Sequence, residues 1–502
     1  MAGEGSAKDQ SPATLPASPA AEQSAVPAAS SPVTSLPNAR QTRIEQARTG
    51  QTEQAGTDQT DAAKGEDAAA VQRGYHNLRQ RAYLPPDFDA DTFSQLWTLW
   101  PEPARTLASE SDEVTRHRLI RQQYGLPPDP EHPEATGPGL AYVPRGDGSF
   151  AMNCMACHSN VVAGKIIPGA PNSLFALQSL VEDTRLLKLT RGRRLSHLDL
   201  AALKLPLGTT NGTTNAVIFG VILEAVRDQH MKFDPSRPIP PLLHHDMDAP
   251  PLWNVKRKSS LYCDGFAPKN HRMLMQFILV KQNSAEQVRK WEPEFRDLLA
   301  WIESLEPPRY PFPVDEDLAA TGAEVFQAHC SRCHGSYGEG GSYRQQTIPL
   351  EVVGTDPVRL NSLSQPHREW VSGSWMSRYG QDAVDTDPGG YIAPPLNGLW
   401  ATAPYLHNGS VPTLWHLLHP DQRPVVWERP AGDAGRVEDY DPARVGPKVV
   451  EHDNLPERTL IPREQRRFFD TRRRGKSAAG HTFPAELTEP EKQAVLEYLK
   501  TL

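Results

Sequence analysis

The chain has 502 residues, 23% charged side chains and a net charge of −8. That length allows two or three domains with interior enough for large cofactors, and the acidic balance gives no general reason to expect nucleic acid as a partner. Five cysteines in such a chain exclude a disulfide framework.

Residues 1–72 are rich in Ala, Ser, Pro, Gln and Thr, and the first aromatic residue is Tyr75. A stretch of that kind buries too little apolar surface to offset its ordering entropy and reads as a disordered segment. Residues 1–30 hold no apolar core of the signal-peptide type, and no later run has the length and apolarity of a membrane span. Order is expected from near Tyr75. Asp91 is the expected N-cap of a helix that places Phe93, Leu96, Trp97 and Trp100 on one face. Ser111 is the expected cap of a second helix, ending at Tyr124 before Gly125.

The chemistry-bearing pattern follows: Asn153-Cys154-Met155-Ala156-Cys157-His158, repeated as Cys330-Ser331-Arg332-Cys333-His334. Two thiols three positions apart, followed at once by an imidazole, are the arrangement that attaches haem covalently. Each thiol adds across a vinyl group, and the adjacent His becomes the proximal iron ligand. A zinc site built from Cys154, Cys157, Cys330 and Cys333 is one alternative, and a thioredoxin-like redox pair another. Neither asks for a His directly after both pairs, and the flanks read helical rather than βαβ. The expected cofactors are therefore two covalently bound c-type haems, with Cys263 left over. Because such attachment is generally performed outside the cytoplasmic membrane, a periplasmic or other extracytoplasmic location is expected.

Leu174, Leu177, Leu180 and Val181 repeat at helical spacing after the first motif. Residues 205–215 read as loop, 216–226 as helix, 234–251 as Pro-rich turns and 286–305 as helix again. Four prolines within 306–313 make a boundary, dividing the ordered chain into 73–308 and 309–502. The second part opens with Asp315, Glu316 and Asp317, suited to a helix N-terminus, and runs through Gly322 and Phe326 into the second motif. Thr488 and Glu491 form a capping box for a last helix that turns Val495, Leu496 and Leu499 inward. A Gly and a Phe four residues apart on the helix entering Cys-x-x-Cys-His resemble the first helix of a class I cytochrome c. The expected fold is mainly α, with two class I cytochrome c-like haem domains bearing long loops.

A duplication supports two domains. Ala249-Pro250-Pro251-Leu252 lies on Ala393-Pro394-Pro395-Leu396 without a gap, and the same register puts Asp264-Gly265 on Asn408-Gly409 and Cys263 on His407. In the cytochrome c fold the sixth iron ligand comes from the loop before the final helix. There the second part has His481, the expected distal ligand, with Met376 as rival and His407, His416 and His419 behind it. Aligning the terminal helices puts Ser284 at the matching place of the first part, and Ser is a poor ligand for haem iron. The first haem is thus expected to be open, with Met273, Met275 and His271 as the nearest groups able to close it. A six-coordinate haem passes electrons, whereas a vacant position admits dioxygen or peroxide.

The two motifs and the long segment 393–414, which contains Thr-Ala-Pro-Tyr-Leu-His-Asn-Gly, resemble the bacterial dihaem cytochrome c peroxidase superfamily. Gly164-Lys-Ile-Ile-Pro-Gly-Ala-Pro-Asn172 and Gly480-His481 make the likeness closest to its rubber-oxygenase-like branch, in which a C-terminal His ligates the second haem. The resemblance also implies one calcium ion between the haems, held partly by main-chain oxygens at Thr402 and Pro404, with Asn215 as a third candidate ligand. Peroxidases often carry Trp on the inter-haem path immediately before the Asp-Gly of the first unit. Cys263 stands there in this chain, and Trp253 or Trp400 is the substitute considered. The distal His that soluble peroxidases place soon after the first motif is missing, so Glu182 is the candidate acid or base.

The reading is a dihaem oxidoreductase in which the first haem reacts with hydrogen peroxide or dioxygen and the second transfers electrons, fed by a small redox protein. A non-catalytic dihaem electron carrier is the alternative.

Overall fold

A computed structural model of the protein describes residues 55–240, 243–429, 435–456 and 462–502. Gln59–Leu502 forms one compact unit. Of the segment read as disordered, residues 1–54 lie outside the described residues, while 55–72 fall within the helix Ala55–Gln80. The composition that argued against a core there is Ala-rich, and Ala is the strongest helix former. Among the described residues no helix is long and apolar enough to cross a membrane.

The protein is mostly helical, and its helices begin where short polar side chains accept orphan N–H groups. Asp89, not Asp91, caps Ala90–Ser94 by accepting from the Thr92 N–H at 2.8 Å. Asp112, not Ser111, caps Glu113–Tyr124 by accepting from Thr115. In each case a carboxylate one or two places away outcompetes the expected residue, because the cap must lie immediately outside the first turn. Gly125 ends the second helix at φ 65°, as anticipated. The long helix expected over 286–305 is two, Ala285–Lys290 and Glu292–Ser304. Pro293, which has no N–H to donate, breaks the first and starts the second.

Among the described residues six small antiparallel sheets fill the long connections. Val426–Glu428 is the central strand of one, between Val450–His452 and Phe468–Asp470. The duplication is visible in the backbone. Tyr262 and Gly265 take φ 70° and 68°, and Leu406 and Gly409, 144 positions later, take 63° and 69°. Non-glycine residues seldom adopt this left-handed conformation, so its recurrence at matching places reflects a shared turn.

Among the described residues three cores organise the unit. One is built from the first part alone, around Phe93, Trp100, Tyr124 and Leu180. The other two cross residue 308. Leu363, Val371, Trp375 and Met376 enter the core of Met155, Phe266, Met273 and Trp301. Ile167, Ala170 and Trp253 enter that of Phe326, Trp400, Val495 and Leu499.

In the second part the helices Glu316–His329 and Glu489–Leu499 pack with Gly322 directly against backbone. A Cβ there would stand 1.9 Å from the Ala494 carbonyl oxygen. Phe326 meets Tyr498 beside it, ring centres 5.3 Å apart. Gly322→Ala is therefore expected to force the helices apart and to lower stability by about 1–3 kcal/mol, measured as a shift of the urea unfolding midpoint against wild type.

Candidate functional site

Each Cys-x-x-Cys-His pattern ends with its imidazole held in the same way. Nδ1 of His158 donates to the Pro250 carbonyl at 3.1 Å, and Nδ1 of His334 donates to the Pro394 carbonyl at 2.9 Å. The two acceptors are equivalent residues of the repeat. Fixing the proton on Nδ1 leaves the Nε2 lone pair available to a metal. Burial pushes His158 down to about 4, with the Pro250 carbonyl acting in the opposite direction, and lowers His334 for the same reason. Both rings are thus neutral near pH 7, as ligation requires.

The four thiols of the motifs are unbridged, as is Cys263. They do not converge on a zinc site. Among the described residues the one cluster with ligand atoms mutually within 4.8 Å is Asp129, Glu131 and His132, on the surface. Cys157 packs at the edge of the first part's own core and Cys330 at the edge of the shared core around Phe326 and Trp400.

Opposite His334 stands His481. Their ring centres are 6.1 Å apart with planes at 64°. Two imidazoles on either side of one metal, each with a bond of about 2.0–2.1 Å, would place their ring centres about 6.3 Å apart, so the pair fits a shared iron. Burial pushes His481 down to about 3, with His334 and Arg423 adding to the effect. The loop that presents it is over-determined. His481 itself has φ 47°, a conformation that costs a non-glycine residue about 1–3 kcal/mol. Its N–H donates to the Val353 carbonyl at 2.7 Å. Arg423 donates to the carbonyls of Ala478, Gly480 and His481 at 2.6, 2.7 and 3.2 Å. Gly480, at φ 81°, passes so close to Gly354 that a Cβ would lie 2.3 Å from its carbonyl carbon.

The rivals to His481 are placed elsewhere. Met376 lies in the core of Met155 and Met273. His407 stacks on Tyr391, ring centres 4.5 Å apart. His416 and His419 face Glu451 and Glu489 at 3.3 and 2.9 Å.

The corresponding loop of the first part is clamped in a similar manner but presents no comparable ligand. Fully buried Arg227 donates to the carbonyls of Leu279, Val280 and Asn283. Ser284 caps the helix that follows. His271 is paired with Glu292 at 3.0 Å. Met273 and Met275 are buried in the core around Phe266 and Trp301.

The two repeats are joined by Trp253. Its Nε1 donates to the Asn397 carbonyl at 2.7 Å, and the Asn254 amide donates to the Pro395 and Asn397 carbonyls. Trp253 follows Pro250 by three residues and Asn397 follows Pro394 by three. One short chain of covalent and hydrogen bonds therefore links His158 to His334. Trp400, also fully buried, donates to the Pro308 carbonyl instead.

Glu182 is engaged: Arg466 pairs with its carboxylate and Gln178 donates to it at 2.8 Å. Thr402 donates its hydroxyl to the Leu399 carbonyl, and Pro404 follows a cis peptide. The Asn215 amide nitrogen bonds the Pro206 carbonyl and His244, while its buried Oδ1 has no partner among the described residues; Asn254 Oδ1 shares that condition. The Pro250 and Pro394 carbonyls, Asn397, Asn254, Arg227 and Arg423 escaped the sequence reading. The two prolines had left a signal there as part of the repeat, and Asn397 as part of the segment 393–414.

Residues 390–428 match a family described as RoxA-like, cytochrome c-like. This segment holds Pro394, Asn397 and Arg423, and it implies c-type haem. Two curated proteins of Sinorhizobium fredii (strain NBRC 101917 / NGR234) are similar to the chain. Uncharacterized protein y4iM is 28% identical over 271 residues, 47% of this chain and 56% of the relative. Uncharacterized protein y4iJ is 31% identical over 266 residues, 39% of this chain and 41% of the relative. The chain thus spans about half the length of the curated relatives it matches.

Proposed function

We propose that the chain is a dihaem c-type oxidoreductase with unequal centres. Cys154, Cys157 and His158 would hold the first haem; Cys330, Cys333, His334 and His481 would hold the second. When bound, such haems supply redox-active iron, reactive toward hydrogen peroxide or dioxygen where a face is open and suited to electron transfer where two imidazoles close it. The observation that carries this reading is the contrast between two identically anchored proximal histidines and a single His across from one of them. The halves 73–308 and 309–502 would then be two haem domains with shared cores.

The chain's own residues do the positioning. The Pro250 and Pro394 carbonyls hold the imidazole protons on Nδ1 and orient both rings. Arg423 and Val353 keep His481 in its strained conformation. Trp253 and Asn397 supply a short bonded route between the proximal histidines. Thr402, Pro404 and Asn215 remain the proposed oxygen ligands of one calcium ion. Glu182, tied to Arg466, would need to leave that pair to act as a proton carrier. A small redox protein is the proposed electron source and an extracytoplasmic compartment the proposed location.

Turnover tests the reading: hydrogen peroxide with a reduced small cytochrome on one arm, dioxygen with an unsaturated hydrocarbon polymer on the other. Consumption on either arm supports it, and inactivity on both rejects it in favour of electron carriage. One observation favours that second reading. Five methionines, 155, 231, 273, 275 and 376, gather in the core around Phe266 and Trp301, and a thioether supplied from it to the first iron would make that centre six-coordinate.

Trp253→Phe is expected to keep the buried ring but remove the shorter of the two hydrogen bonds to the Asn397 carbonyl, Asn254 still donating at 3.2 Å. It should cost about 0.5–1.5 kcal/mol and slow electron exchange between the haems in stopped-flow reduction. An unchanged exchange rate would remove Trp253 from the route.

A further inference from the structure

The helices Leu177–Thr190 and His197–Ala202 carry features that neither haem centre uses. A buried ion pair, Lys188 to Asp199 at 2.5 Å, joins them, and Arg185 donates to the Asp199 carbonyl at 3.1 Å. Beside this joint stand Leu186 and Leu189, one turn apart, and Leu200 and Leu203, one turn apart. They are 47, 60, 53 and 63% exposed. Single exposed leucines are ordinary, but four on one helix–loop–helix concentrate apolar surface in the way that marks an interaction site.

Cations flank these leucines along the sequence, on a chain whose net charge is −8. Arg191, Arg193 and Arg194 fill the loop, and Lys204 follows the second helix. Arg191 and Arg193 share Asp91 at 2.8 and 3.6 Å. Among the described residues no carboxylate pairs with Arg194 or Lys204.

We propose that this helix pair docks onto an anionic phospholipid bilayer. A purely apolar partner would leave the cations without counter-charge, and an acidic soluble partner would leave the leucines wet. A bilayer with anionic headgroups satisfies both, taking the leucines at the acyl boundary and the cations at the phosphates.

The test is co-sedimentation of the haem-loaded protein with large vesicles of phosphatidylcholine alone or mixed with phosphatidylglycerol, at low and high salt. Binding is expected to the mixed vesicles and to weaken with salt. Arg194→Ala and Lys204→Ala should each reduce it about fivefold, and the double variant Leu189→Ser, Leu203→Ser should abolish it. An unchanged Soret spectrum and Tm would show that the variants fold. Absence of binding, equal binding to neutral vesicles, or a lipid-free dimer in sedimentation that the leucine variants dissolve would overturn the proposal, the last by showing that a second copy covers this face.

Discussion

His481→Gly is expected to convert the second haem from a six-coordinate low-spin centre into a high-spin one without unfolding the protein. The expectation rests on three features of the site. The ring faces His334 at a separation suited to a shared iron. Its backbone sits at φ 47°, so glycine relieves strain while removing the ligand. The loop keeps its other ties, since Arg423 and Val353 engage backbone atoms. Removal of the ligand is thereby separated from collapse of the loop, a distinction that alanine, equally strained at this φ, would blur. Absorption and paramagnetic resonance of the ferric variant are the readouts, and added imidazole should restore the low-spin signal. A low-spin second haem in the variant without imidazole would show that another group ligates it.

Lys476→Met should be the most damaging single change to the fold near that loop. Lys476 is 2% exposed and pairs with Asp246, itself 1% exposed, at 2.8 Å. This pair ties the segment leading to His481 onto the first part of the chain, and Asn408 adds bonds to the Gly475 and Ser477 carbonyls. Removing one partner leaves a buried charge, which costs about 3–5 kcal/mol. Thr209 and Thr213 still donate to Asp246, which favours the lower end. Burial raises the Asp246 carboxyl, but Lys476 and His244 outweigh it and hold the group well below the usual carboxylate range. A depressed folded value stabilises above the unfolded value of about 4 and loses that contribution as pH falls. The gap between wild type and Lys476→Met in urea midpoints should therefore be full at neutral pH and narrow in acid. A gap independent of pH would show that the pair does not act through charge.

The local chemistry was legible in the sequence and the packing was not. The Thr488–Glu491 capping box and the Gly125 helix stop follow from short-range spacing, the 144-residue repeat from self-similarity, and each has a direct counterpart in the structure. His481 was singled out by position and lies opposite His334, although its left-handed backbone and the Arg423 clamp leave no mark on the sequence. The caps were misplaced by one or two residues because several adjacent polar side chains suit the role equally well. The partners that orient the proximal rings are main-chain carbonyls. A carbonyl has no identity in a sequence, so Pro250 and Pro394 appeared as a repeat without a purpose. Glu182 looked like a free carboxylate because its partner Arg466 lies 284 positions away.

Electron paramagnetic resonance of the fully oxidised, haem-loaded protein addresses the proposed inequality of two irons most directly. One low-spin signal of the bis-imidazole type, lost in His481→Gly, and one high-spin signal from the haem proposed at Cys154 and Cys157 are expected. Two low-spin signals with no high-spin component would contradict the proposal and leave the chain an electron carrier.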